Sequence, residues 1–199
     1  MDKKKDLTGL LLAFIGMIIS LFIGFGFILT LIGTCMLSEV NENFRKSRNN
    51  IIGSLITSIA GFFVIIAVSG GMAMMFASFG NAGGVVIGSL VTFIIASIVM
   101  FILLYIFNRN AYTYLMYGCA DVARDKQEME IVENCMDTAN KYKSALLAYT
   151  IVGIITAALM WVPILNVILM IATIGIGIWY LVMQIFLIVR VWQTYSNCK

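Results

Sequence analysis

The sequence predicts an all-α fold, a polytopic integral membrane helical bundle, and three observations carry that expectation. The 199 residues are 61% hydrophobic and only 12% charged, with a mean hydropathy of +1.00. A soluble domain carries about a quarter charged residues, and a disordered chain needs low hydrophobicity, so both classes are excluded. The 13 basic and 10 acidic residues fall in four short segments, 1–6, 39–48, 109–143 and 190–199. Between them, 7–38, 49–108 and 144–189 contain no Asp, Glu, Lys or Arg. The hydrocarbon core is about 30 Å thick and takes about 20 helical residues to cross, so each of the two longer blocks holds two passes. About five membrane segments result, near 7–37, 51–69, 85–107, 145–162 and 165–189. They form one transmembrane domain over 1–199, with a cytoplasmic helical hairpin at 109–143.

Segment 7–37 has two readings. One is a single tilted helix, which accommodates an apolar run longer than the bilayer. The other is a shallow re-entrant hairpin bending at Gly24-Phe25-Gly26. The single helix is the simpler expectation, because irregular backbone in lipid is costly unless neighbouring helices bury it. With its basic start and long apolar run, the segment resembles an uncleaved signal anchor rather than a cleaved peptide.

Loop 39–48 carries Arg45, Lys46 and Arg48 beside Phe44. These three are the candidate contacts for lipid headgroups, where each base near an anionic surface contributes about 1 kcal/mol. They also act as plain topology determinants.

Crossings 51–69 and 85–107 are separated by glycine-rich punctuation from Ser69-Gly70-Gly71 to Asn81-Ala82-Gly83-Gly84. Segment 109–143 has no Pro and repeats apolar residues at helical spacing, first at Tyr112, Leu115, Met116 and Cys119. Ile131, Val132, Cys135 and Met136 follow on the second arm. The simplest arrangement carries the preceding helix out of the membrane, turns near Arg124-Asp125-Lys126 and returns. The two apolar faces then either satisfy each other or dock a cytoplasmic protein partner. With six carboxylates against five bases, the segment is a poor nucleic-acid surface. Crossings 145–162 and 165–189 are joined at Pro163, which interrupts helical hydrogen bonding.

Charge asymmetry places 39–48, 109–143 and 190–199 in the cytoplasm of a plasma or bacterial inner membrane. A hairpin at 7–37 would bring Lys3, Lys4 and Lys5 to the same side; a single pass would strand them outside.

Small residues four apart let helices approach closely in lipid. Gly16, Ser20 and Gly24 form one such stripe, Gly53, Thr57 and Gly61 a second, and Gly84, Gly88 and Thr92 a third; Gly153–Ala157 and Thr173–Gly177 are shorter versions. They are candidate helix-packing positions, within the chain or between chains.

The chemistry is mostly exclusion. The chain has no His, which removes the usual metal ligand and the near-neutral proton carrier. It also removes Ser-His and Cys-His nucleophilic pairs. No carboxylate lies in an apolar block, so no intramembrane proton relay is present. Cys35, Cys119, Cys135 and Cys198 contain no C-x-x-C spacing. No catalytic, cofactor-binding or metal-binding residues are expected. The expected function is a non-enzymatic membrane protein that self-assembles, or that serves as a membrane-complex subunit or scaffold for a partner on the 109–143 hairpin. The alternative is an oligomeric channel or pore with an uncharged, weakly selective lining. Membrane lipids, further copies of the chain and a cytoplasmic protein are the expected partners.

Overall fold

A computed structural model describes residues 7–22, 26–77, 83–159 and 163–198. Among these residues the chain has six helices and no strand: α1 (Thr8–Phe22), α2 (Gly26–Leu37), α3 (Glu42–Ala77), α4 (Gly83–Asp125), α5 (Met129–Leu159) and α6 (Pro163–Cys198). Three of them are long and apolar enough to cross a membrane, α4 over Val91–Asp125, α5, and α6 over Val167–Cys198. At 1.5 Å per residue the 43 residues of α4 extend about 65 Å, twice the hydrocarbon thickness.

The single helix expected over 7–37 is replaced by two helices that fold back on each other. A Cβ on Gly9 would meet the Gly33 carbonyl oxygen and the Leu37 side chain, and a Cβ on Gly33 would meet the backbone of Gly9 and Ala13. Nearer the bend, Gly16 faces the backbone of Thr30 and Gly26. Glycine at these crossings permits backbone-to-backbone contact, and that contact decides for a hairpin where composition was neutral.

The expected loop at 39–48 is helical from Glu42. Asn41 caps α3, its Oδ1 accepting the Phe44 backbone N–H at 3.1 Å. Antiparallel pairing with α4 then follows in register. Phe44 lies over Gly118, Ser47 Oγ donates to the Ala111 carbonyl at 2.8 Å, and Ser54 Oγ donates to Asn108 Oδ1 at 2.9 Å. Further along, Gly53 receives the Phe107 ring and Gly61 the Met100 side chain. The glycine-rich break expected from Ser69 is narrower than the spacing implied, since α3 runs on to Ala77.

The turn expected near Arg124–Lys126 forms at Lys126–Glu128. Lys126 N donates to the Ala123 carbonyl, Gln127 N to that of Arg124, and Glu128 N again to Ala123. Gln127 sits at φ 63°, a left-handed conformation that costs a non-glycine residue about 1–2 kcal/mol. α5 returns along α4, with Phe101 packed over Gly153. α6 begins on Pro163, the helical position that needs no N–H donor.

Two halves differ in packing. The charged half comprises the α1–α2 hairpin, the start of α3, the α4–α5 arms over 109–143 and the end of α6. There, Leu10, Leu37, Phe44, Leu115, Met116, Cys119, Cys135, Tyr142, Val191 and Thr194 are fully enclosed. In the apolar half, Phe62, Phe63, Ile95, Val167, Ile171 and Ile174 remain exposed. Apolar side chains exposed on long apolar helices match a hydrocarbon solvent, which lacks the hydrophobic drive to bury them.

Candidate functional site

Polar and aromatic groups that sequence spacing does not connect meet within the charged half and at its border with the apolar half. Asp121 on α4 accepts from Asn43 Nδ2 at 2.7 Å and Asn41 Nδ2 at 3.3 Å, both on its Oδ2. Asn41 Nδ2 also lies 3.4 Å from the Gly118 carbonyl, and Arg124 contacts Asp121 Oδ1 at 3.5 Å. The carboxylate therefore latches the start of α3 onto α4. No sequence pattern announces this pair, because the partners are about 80 positions apart.

A tyrosine column lies about two and a half turns below, at the level of Tyr112. Tyr142 contacts Tyr112 edge-on at 5.5 Å between centroids and Tyr180 at 5.9 Å; Tyr180 stacks on Tyr149 at 5.0 Å. The Tyr142 and Tyr180 hydroxyls are 3.4 Å apart. The column ties α4, α5 and α6 together, and such ring pairs add about 0.5–1.5 kcal/mol beyond their buried area. The only sequence signal for it was the enrichment of amphipathic rings at membrane–water boundaries.

Lys143 and Arg190 at this level are held by neutral partners. Lys143 Nζ donates to Tyr117 Oη at 2.9 Å and lies 5.3 Å from that ring centroid. Arg190 donates to Thr138 Oγ1 on α5 at 3.3 Å and to Gln193 Oε1 at 2.6 Å. Thr194 Oγ1 donates to the Arg190 carbonyl at 2.9 Å, which leaves it as acceptor for the Cys135 thiol at 3.9 Å. Among the described residues no group of His, Cys, Asp and Glu is placed to hold a metal ion. A shallow crevice between α1, α4 and α6 is lined by Met17, Ser20, Leu21, Tyr112, Gln184 and Leu187.

The expected site residues distribute unevenly. Of the lipid-headgroup set, Lys46 and Arg45 pair with Glu42, at 3.1 and 3.9 Å. Lys46, with help from Arg45, holds that carboxyl below its usual range. Arg48 instead donates to Asn49 Oδ1 at 3.0 Å and Ser38 Oγ at 3.2 Å, so its charge meets no carboxylate among the described residues. Of the partner-contact set, Ile131, Val132 and Cys135 are buried in the chain's own core and Met136 is 39% exposed. The facing arms consume the first three, because they pack onto α4 and α6 where helical spacing alone leaves a free face.

Of the helix-packing stripes, Gly16 is used in the α1–α2 seam. Ser20 is exposed beside the crevice. Gly53, Thr57 and Gly61 lie along α3, Thr57 buried and the two glycines filled by α4 side chains. Thr92 is exposed on α4. Gly24 lies outside the described residues; Gly84 and Gly88 belong to the first turns of α4, and their surroundings lie outside the described residues. The shorter Thr173–Gly177 stripe behaves differently. Thr173 Oγ1 donates to the Leu169 carbonyl at 2.7 Å and lies 3.5 Å from Thr156 Oγ1. A Cβ on either Gly175 or Gly177 would meet nothing within 4 Å.

No protein-family model, curated protein or solved structure matches this chain.

Proposed function

We infer that this is a non-enzymatic, multi-pass membrane protein that assembles with further copies of itself. In this reading α3 to α6 cross the bilayer four times, the N-terminal hairpin is a fifth membrane-associated segment, and the charged half faces the cytoplasm of a plasma or bacterial inner membrane. The observation that carries self-assembly is the bare glycine Gly175 on the outer face of α6. Gly16, Gly53, Gly61 and Gly153 are each filled by a neighbour in the same chain, whereas Gly175 and Gly177 face open space. Small residues let helices approach closely in lipid, so an unfilled Gly175 among apolar side chains fits a second copy. Exposed Ile171, Ile174 and Ile178 flank it and would supply the surrounding contact.

Two subsidiary contacts accompany this reading. Arg48 meets anionic headgroups, its charge lacking a carboxylate partner among the described residues. Met129 and Met136, exposed on α5, are the remaining apolar positions for a cytoplasmic protein, since Ile131, Val132 and Cys135 are enclosed.

Native mass measurement in mild detergent tests the assembly. The protein should run as a defined oligomer, and Gly175→Leu should shift it toward monomer while leaving its helical content unchanged. A monomeric wild type, across detergents and in lipid nanodiscs, would falsify the reading.

A further inference from the structure

The α1–α2 hairpin poses a problem of surroundings. It contains no charged residue from Leu7 to Leu37, and its outer face exposes Ile15, Ile28, Ile32 and Met36, with Phe22 at the bend 83% exposed. Yet it belongs to the charged half, with Leu10, Met17 and Leu37 in the same core as the α4–α5 arms. Phe14 packs on Trp192 with ring centroids 4.9 Å apart, only two positions beyond Arg190.

The geometry of α6 at that height is informative. Residues two apart on a helix project about 200° apart, from 3.6 residues per turn. Trp192 accordingly turns to Phe14 on α1, and Arg190 turns to Thr138 on α5. The hairpin and α5 thus flank opposite sides of α6 at one level. On the α5 side that level is polar, with Asp137 and Lys141 exposed and paired at 2.7 Å. On the hairpin side it is apolar, and the exposed α6 residues Ile185, Val189 and Trp192 continue that face down into the apolar half. The bend points the same way, since Ser20 and Leu21 share the crevice with Gln184, below Arg190.

We propose that the hairpin is a wedge in one leaflet, its outer face immersed in acyl chains of the leaflet on the charged side. Three features favour lipid as the occupant. The face of α6 that meets the hairpin at Phe14 carries exposed apolar Ile185 and Val189 one and two turns below Trp192. The helices, 15 and 12 residues long, extend about 22 and 18 Å, too short to cross the core yet matched to one leaflet. Their seam is closed by Gly9, Gly16, Gly26 and Gly33, so the pair needs no further protein to satisfy its backbone. Immersing one side and not the other requires the bundle to tilt, and tilts up to about 40° are ordinary. A wedge confined to one leaflet also makes binding sensitive to lipid packing and curvature.

Site-directed spin labelling tests this on the full chain in phosphatidylcholine–phosphatidylglycerol vesicles. Labels go on Phe22→Cys, Ile28→Cys, Ile32→Cys and, as the polar control at comparable height, Asp137→Cys. Each is made in a Cys35→Ser background, because Cys119, Cys135 and Cys198 are buried. Collision with oxygen, which concentrates in acyl chains, should exceed collision with a water-soluble nickel chelate at 22, 28 and 32, and the ratio should invert at 137. Nickel accessibility at 28 and 32 equal to that at 137 would overturn the wedge. So would shielding from both reagents with dipolar broadening between labels, which would place a second copy there. Phe22, being almost fully exposed, reports even if labels at 28 or 32 disturb the seam.

Discussion

Tyr142 is wholly enclosed between Tyr112 and Tyr180, whereas Ile171, on a helix of the same bundle, is 68% exposed. The contrast is general to the two halves. In the charged half the inner face of the hairpin, the α4–α5 arms and the end of α6 close around an apolar core from which water is excluded. Among the described residues of the apolar half the helices meet at close approaches such as Gly61 with Met100 and Gly153 with Phe101, and many apolar side chains face outward. One chain therefore folds by two rules. Where water is the solvent, burial organises the core; where hydrocarbon is the solvent, only close approach and hydrogen bonds hold helices together.

The sharpest way to break this comparison is to remove one large side chain from each half. Tyr142→Ala should destabilise the detergent-solubilised protein by about 3–5 kcal/mol, the usual cost of emptying an aromatic core position. Ile171→Ala should leave the stability of the monomer within about 0.5 kcal/mol, as at surface positions. Similar shifts in the two unfolding midpoints would abolish the distinction.

Glycines sharpen it next. A Cβ on Gly16 would collide with the Thr30 backbone, while one on Gly175 would meet nothing. Gly16→Ala should therefore cost about 1–3 kcal/mol, in line with overpacked cores. Gly175→Ala should be neutral to slightly stabilising in the monomer. Thermal unfolding of both variants under one set of conditions decides the sign.

The polar latch comes after these. Asp121→Ala leaves the Asn41 and Asn43 amides without their shared acceptor, and should lower stability by about 1–3 kcal/mol. Proteolysis should then cut faster around 38–45 than elsewhere. Unchanged cleavage there would mean that α3 is held by Phe44 and its neighbours alone. Relief of the left-handed residue at the α4–α5 turn works in the opposite direction. Gln127→Gly should raise stability by about 1 kcal/mol, and a lower melting point would show that the Gln side chain contributes more than its backbone strain costs.

The smallest effect concerns acid. Lys46 holds the Glu42 carboxyl below its usual range, so the pair's contribution is present above the unfolded carboxylate pKa and is lost as pH falls through the lowered folded value. Both side chains are about half exposed or more, and such pairs contribute little. Glu42→Gln should leave the pH profile of unfolding unchanged between neutral and mildly acidic conditions.

Several features of the bundle are legible in the amino-acid order alone. The turn after Arg124, the break at Pro163 and the continuation of a membrane helix into a charged arm all follow from charge placement and helix-breaking chemistry. The fold-back of 7–37 is not legible in this way, because Gly9, Gly16, Gly26 and Gly33 serve a tilted helix and a hairpin equally well until their backbones are in contact. Ile131, Val132 and Cys135 stand on an apolar face that spacing alone does not assign to a partner or to the chain itself. The Asn41–Asn43–Asp121 latch and the tyrosine column are illegible for a simpler reason, since their members lie far apart in sequence and carry no periodic signature.

By itself, the sequence determined which blocks are free of charge and apolar enough to enter a membrane. Excluding charge from long blocks is a local property, and the cost of placing ionised groups in hydrocarbon acts residue by residue. Tertiary structure decided which faces meet. Whether a glycine is filled by a neighbour, as at Gly53, or left bare, as at Gly175, depends on how two helices cross, and no single helix contains that information.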